Sequence, residues 1–302
     1  MRTKASSGAP RGKNLPTTRV GIAVTTIGRW TYLEELLASI QTSTYQPVRI
    51  VVANQSGSRP PEALLGSQDV VFVDSTGGAS QGRNDAAALL RDDADVIAFP
   101  NDHSRYRADT VEVAARFFDA DADLAGLAGT LLEPTGPRFK LPPSGSALNR
   151  RTVWRAIEST LFVRSPFPWF RPGLGPGSSS PWQAGEGTDL LLGMIGEGRR
   201  VIAAPEVVVL SPGERRSLSD QEWQTKLRSY ARGTGYVLRL HRAGPIESLL
   251  FVSKPPIRLL IPPSTGRPTV RECIATVVGR LEGRLGLCFS APDRLDQDAL
   301  RK

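Results

Sequence analysis

Val96-Ile97-Ala98-Phe99-Pro100-Asn101-Asp102-His103 runs from apolar residues through a proline into three polar side chains. The first four read as a short buried strand, and Pro100 turns the chain out of it so that Asn101, Asp102 and His103 can face one point. An acid and an imidazole at the mouth of a buried strand suit a divalent cation or a reacting group. The pattern recurs upstream. Val20-Gly21-Ile22-Ala23-Val24-Thr25-Thr26 is a strand closed by the turn Ile27-Gly28-Arg29, and Trp30 to Thr42 then places Leu33, Leu36, Leu37 and Ile40 at helical spacing. Arg49-Ile50-Val51-Val52-Ala53 ends in the polar turn Asn54-Gln55-Ser56-Gly57, and Val70-Val71-Phe72-Val73 is a third strand. Thr76 to Asn84, rich in glycine, leads into an alanine-rich helix over Asp85 to Leu90. This βαβ rhythm predicts an α/β fold with an open, mainly parallel central sheet and flanking helices. Ligands of such sheets sit beyond the carboxyl ends of the strands, where each of these polar turns falls.

With 302 residues, 40% hydrophobic and 23% charged, the chain can bury the core of one large domain, or of one domain with an appendage. Cys273 and Cys288 are the only cysteines. Without a CxxC spacing they exclude a disulfide framework or zinc knuckle and read as small buried apolar residues in a reducing compartment. Residues 1–18 carry Arg2, Lys4, Arg11 and Lys13 among Ser, Gly and Pro, and are expected to form a disordered basic tail. No apolar run approaches the roughly 18 residues of a membrane span; the longest candidate, Ser248 to Pro263, is interrupted by Lys254-Pro255-Pro256 and Arg258. The expectation is a cytoplasmic protein, soluble or peripheral on the inner face of the cell membrane. A net charge of +8 suits nucleic acid, anionic lipid or a phosphorylated substrate. The arginines are scattered and no aromatic-basic motif accompanies them, so no nucleic-acid partner is expected.

The ordered series Val20 to Arg29, Ile50 to Gly57, Gly78-Ala79-Ser80-Gln81-Gly82-Arg83-Asn84 and Phe99 to His103 resembles the nucleotide-sugar half of inverting, bacterial family 2 glycosyltransferases with the A-type fold. The resemblance continues through Gly173-Leu174-Gly175-Pro176-Gly177-Ser178-Ser179-Ser180, through Trp182 to Leu192, where the family has an acidic Glu-Asp-x-Asp-Leu-type motif, and through Gly198 to Pro205 and Ser229 to Gly235. It spans about Arg19 to His241. Three positions depart from the family pattern: Asn54 and Asn101 stand where an acid is usual, and Gly187 stands where the catalytic base usually follows the glutamate.

The resemblance implies a transferase that moves a sugar from a nucleoside diphosphate sugar to a hydroxyl of a glycan, polysaccharide or lipid-linked precursor, with inversion. It implies donor binding by Thr25, Thr26, Arg29, Asn54, Ser56, Arg83, Asn101 and Asp102. The departing diphosphate needs its charge neutralised by a metal, basic groups or backbone donors. Asp102 with His103 would hold the metal, unless Asp102 serves as a helix cap and His103 as a surface residue. Mg²⁺ prefers oxygen ligands, so an acid-imidazole pair tilts the choice toward Mn²⁺. An inverting displacement also needs a carboxylate within reach of the acceptor hydroxyl. Glu186 and Asp189 are the acids of that motif; Glu186 is preferred, and Asp189 can equally be a helix-start acid favoured by the dipole. Arg83 can reach a phosphate or face solvent. Trp182 can stack on an acceptor sugar or pack in the core. His241 is read as a solvated helix-end residue.

These readings divide the chain into the tail at 1–18, a catalytic domain at 19–241 with a nucleotide-sugar half at 19–107 and an acceptor half at 108–241, and a C-terminal extension at 242–302. In the extension, apolar pieces broken by Pro255-Pro256 and Pro262-Pro263 precede a helix with Val270, Ile274, Val277, Val278, Leu281 and Leu285 on one face and Arg271, Arg280 and Arg284 on or beside the other. Such a basic amphipathic helix lies on an anionic membrane or packs on the catalytic domain. The competing reading is a degenerate nucleotide-binding module, which would account for Asn54, Asn101 and Gly187 together.

Overall fold

The seven residues Val20–Thr26 form β1, six of them buried, as a central strand covered on both faces requires. In the computed structural model, which describes residues 14–66, 69–213, 218–260 and 268–289, β1 is followed by α1 (Trp30–Gln41), β2 (Arg49–Asn54), α2 (Glu62–Leu65), β3 (Val70–Asp74), α3 (Ala79–Ala88) and β4 (Val96–Ala98). Next come β5 (Arg105–Tyr106), α4 (Thr110–Ala120), β6 (Leu124–Glu133), β7 (Gly136–Pro137), β8 (Leu161–Arg164), α5 (Glu186–Gly196) and β9 (Arg200–Leu210). The helices α6 (Asp220–Leu240), α7 (Pro245–Leu260) and α8 (Val270–Leu285) complete the order. Of the expected tail at 1–18, residues 1–13 lie outside the described residues, whereas Thr17 and Thr18 bond the carboxylate of Asp119 through their backbone amides and hydroxyls.

The chain divides into two compact units. The first takes the described residues up to Thr76, Gln81–Phe170 and Leu190–Gly213, and contains the whole sheet. The strand order is β3-β2-β1-β4-β8-β6-β9-β5, with β7 on β6. The expected parallel arrangement holds for β1 to β4, with Ile22 opposite Ile50 and Ala98, and Val52 opposite Phe72. Beyond β4 the sheet is mixed: β8 pairs antiparallel with β4 and β6, whereas β6 and β9 run parallel. Helix α1 covers one face through Leu33, Leu36, Leu37 and Ile40, the residues its spacing marks, and they join Ile22, Val24, Val52 and Phe162 in the core. Parallel strands bring their carboxyl ends to one edge, so Thr26 lies beside Asn54, Asn54 beside Asp74, and Thr25 bridges to Asn101. Helix α3 begins at Ala79, earlier than the alanine run suggests, because Gly77 and Gly78, with φ of 98° and 88°, make the turn that launches it.

The second unit takes Gly77–Ser80, Arg171–Asp189 and the described residues after Gly213. Two capping boxes set its helix starts: Ser219 with Glu222 for α6, and Thr269 with Glu272 for α8. The α6–α8 packing rests on glycines. A Cβ at Gly235 would lie 2.2 Å from Arg280 O, at Gly279 2.3 Å from Arg228 O, and at Gly283 closer still to Arg232 O. Two features differ from the sequence expectation. Helix α7 runs unbroken through Pro255 and Pro256, because Phe251 and Pro255, one turn apart, are buried and this packing outweighs the two missing donors. Helix α8 turns its apolar face outward: Val270 is 62% exposed and Ile274 57%, while Cys273, Gly279, Glu282 and Gly283 are buried. Glycine permits the close approach, and Glu282 is tolerated inside because Arg228 and Arg232 pair with it.

Gly283→Ala is expected to destabilise the protein by about 2 kcal/mol in urea unfolding, since its methyl meets backbone that must shift. Gly193→Ala, inside α5, serves as the control for a helical glycine whose added Cβ meets nothing within 4 Å; equal losses in the two variants would contradict the packing account.

Candidate functional site

The polar edge of the first unit is organised by Asp102, whose side chain is completely buried. Its Oδ2 accepts from Thr26 Oγ1 at 2.9 Å and from Arg29 Nε at 3.0 Å, and its Oδ1 accepts a short bond from the Arg29 terminal nitrogen. His103 Nδ1 lies 3.2 Å from the same Oδ1. Burial pushes the carboxyl pKa up, but the His103 hydrogen bond, the Arg29 charge and the Thr26 hydroxyl outweigh it and hold Asp102 below the usual carboxylate range.

A carboxylate offers about four lone-pair positions, and these four contacts take them. Asp102 therefore does not fit as a direct metal ligand while Arg29 stays in place. His103 does fit. With Nδ1–H donated to Asp102, Nε2 carries a lone pair, the arrangement in which a carboxylate orients a metal-binding imidazole. Among the described residues no three His, Cys, Asp or Glu side chains gather around one point. His103 would thus be a single protein ligand, with the donor's phosphates supplying others.

The other expected donor residues are brought to this edge but are occupied. Asn54, 3% exposed, accepts from Ser56 N and Ser56 Oγ and donates to Ser58 O at 2.8 Å, so it knits its own turn. Its amide also lies 3.5 Å from Asp74 Oδ1. An aspartate at 54 would set two carboxylates side by side and lose the donor to Ser58, which is a physical reason for the amide. Arg83 neither faces solvent nor stands free. It is 2% exposed, donates to Asn101 Oδ1 at 3.0 Å and lies over the Phe170 ring. Asn84 clamps Phe170 through both backbone groups. Gly82 lets α3 close on the strand ends, since a Cβ there would lie 2.6 Å from Thr25 Cγ2.

In the second unit Glu186 and Asp189 occupy the first turn of α5. Asp189 is clamped: Arg171 Nε donates to Oδ2 at 3.0 Å, and His241 Nε2 lies 2.8 Å from Oδ1. Glu186, 2% exposed, sits against Gly175, where a Cβ would come within 3.0 Å of Glu186 Cδ and 3.2 Å of Oε2. Gly175 has φ +108°, so both its conformation and the space it leaves favour glycine. Trp182 stacks on Tyr236 with centroids 4.3 Å apart and planes 2° from parallel, which engages one face of the indole.

Arg171 and His241 are contacts that the sequence reading does not find. His241 is the C-cap of α6, not a solvated end. The Ser219-x-x-Glu222 box marks the start of that helix, but no local signal pairs His241 with an acid 52 residues earlier.

Residues 21–170 match the family model described as Glycosyl transferase family 2. Among solved structures, the TarS fragment 1–349 of S. aureus is similar at 14% identity and a TM-score of 0.50, over 90% of this chain and 93% of that one. The same fragment is known in complex with UDP-GlcNAc. The mannosyltransferase PcManGT of Pyrobaculum calidifontis, in complex with GDP-Man and Mn²⁺, is similar at 13% identity and a TM-score of 0.54, over 91% and 88% of the two chains. These likenesses identify the A-type glycosyltransferase fold. No curated protein matches the sequence.

Asp102→Asn is expected to cost on the order of 3 kcal/mol at pH 7, because it leaves the Arg29 charge without its counter-charge. The folded pKa lies below the unfolded value near 3.9, so this stabilisation is fully present above that value and is lost as pH falls through the folded one. Unfolding free energies of wild type and variant should converge toward pH 3; a gap unchanged from pH 7 would contradict the assignment.

Proposed function

The chain belongs to glycosyl transferase family 2, and we propose that it moves a sugar from a nucleoside diphosphate sugar to a hydroxyl acceptor with inversion, Glu186 acting as the base. The observation that carries this reading is the seat of Glu186 in the first turn of α5, where Gly175 leaves the space its carboxyl occupies. Asp189 has each oxygen engaged by a cationic or imidazole nitrogen, which makes it the poorer candidate. In this mechanism the acceptor oxygen bonds the anomeric carbon on the face opposite the diphosphate while Glu186 takes its proton. The bond to the diphosphate breaks, and the nucleoside diphosphate departs with the electron pair.

A divalent cation, Mn²⁺ before Mg²⁺, would be held by His103 Nε2 with Asp102 behind it, and when bound would neutralise charge on the departing diphosphate. Thr25, Thr26, Arg29 and Asn54 would shape the donor pocket, with Ser56, Arg83 and Asn101 bracing it. The free face of Trp182 would meet the acceptor. Glu186→Gln should lower kcat by about 10²–10⁴-fold with donor affinity kept, Asp189→Asn should cost far less, and His103→Ala should remove the Mn²⁺ dependence. Transfer and nucleotide-binding assays on the three variants check this. Nucleotide binding without turnover in the wild type would instead identify a binding module.

We also propose peripheral contact with anionic membrane, which would bring a lipid-linked acceptor to the protein. No helix among the described residues is long and apolar enough to cross a membrane. Helices α7 and α8 nevertheless expose Ile246, Leu249, Leu250, Val270, Ile274 and Leu285, with exposed Lys254 and Arg271 alongside. Exposed apolar residues interleaved with cations suit an anionic interface. Leu249→Glu with Leu250→Glu should abolish co-sedimentation with phosphatidylglycerol vesicles, and undiminished binding would exclude this face.

A further inference from the structure

Helices α6 and α8 enclose a groove of about 290 Å³ that the proposed transfer chemistry does not use. Among the described residues its lining includes three arginines, Arg228, Arg232 and Arg271, and no acid. Glu282 lies completely buried beside it. The Glu282 carboxylate accepts from both nitrogens of the Arg228 fork, from Arg232 Nε at 2.9 Å and from Phe289 N. The Glu282 carboxylate thus contacts two guanidinium groups, and Arg271 at the exposed rim adds a third cation.

The informative residue is Arg232. It is 4% exposed, yet its hydrogen bonding among the described residues ends with Nε on Glu282; its two terminal nitrogens have no acceptor there. These nitrogens are not sealed in the interior; they border a groove that supplies further donors, the Thr225 and Ser229 hydroxyls of α6. The opposite wall, Ile274, Ala275 and Val278 of α8, is apolar. A planar donor fork, hydroxyls and an arginine at the rim match phosphate oxygens, and the apolar wall matches the organic part of a phosphate ester. The volume lies at the small end of ligand sites.

We propose that this groove is a binding site for a phosphate or diphosphate group, with Arg232 at its floor and Arg271 at its mouth. Such a group occurs on soluble small molecules and on lipid headgroups, and the test separates the two. Because Arg232 also pairs with buried Glu282, its replacement risks the fold. The variants are therefore Arg271→Glu, which reverses charge at the rim, and Ala275→Trp, which fills the groove. Both are made in the full chain, with thermal melting to verify folding and UDP binding as a control on the separate donor edge.

Calorimetry with inorganic pyrophosphate should give binding that both variants weaken at least tenfold, about 1.4 kcal/mol, with UDP affinity unchanged; that result identifies a soluble phosphate ligand. If pyrophosphate does not bind but wild type prefers phosphatidic acid over phosphatidylglycerol vesicles, and both variants lose the preference, the ligand is a lipid phosphate. Pyrophosphate binding that neither variant changes, or no phosphate preference in either arm, overturns the proposal.

Discussion

The polar edge of the first unit depends on a buried ion pair between Arg29 and Asp102. A carboxylate with no exposed surface is tolerated only when fully paired, and here the partners come from three places in the chain. Thr26 ends β1, Arg29 closes the turn after it, and His103 follows the Asp itself. Because β1 and β4 are adjacent and parallel, their carboxyl ends arrive together, and the ion pair ties the two loops that leave them. The same contacts orient the His103 ring and take up the lone pairs a cation would need on Asp102. Fold and proposed chemistry therefore meet at one residue, which in the proposed function positions its neighbour.

This reading explains the amides of that edge without appeal to lost function. Asn54 uses both ends of its amide to build a turn beside Asp74. Asn101 accepts from Arg83, a nearly fully buried guanidinium that needs an acceptor. The amides are consistent with their surroundings, and the charge balance of the edge rests on Asp102.

Much of the fold was legible in the sequence because the signals were local. The strands at Val20, Arg49, Val70 and Val96 are short apolar runs ended by polar turns, and α1 shows its buried face in Leu33, Leu36, Leu37 and Ile40. The acids of α5 were also visible, since an acidic pair at a helix start is a sequence pattern. What was hidden depends on distant partners. The clamp of Arg171 and His241 on Asp189 joins residues 18 and 52 positions away from it. The face of α8 reads the wrong way round because its contact with α6 is made by glycines and an acid, residue types that periodicity assigns to solvent. Likewise, Asp102 looks like a ligand in sequence, and only the fold brings Thr26 and Arg29 to its carboxylate.

The most direct test of this account is to follow an incubation with UDP-, GDP- and dTDP-sugars and candidate hydroxyl acceptors by proton NMR, reading the anomeric configuration of the transferred sugar. The account predicts nucleoside diphosphate release coupled to a product whose anomeric configuration is opposite to that of the donor. A product that retains the donor configuration would contradict the assignment of Glu186 as the base of a single displacement.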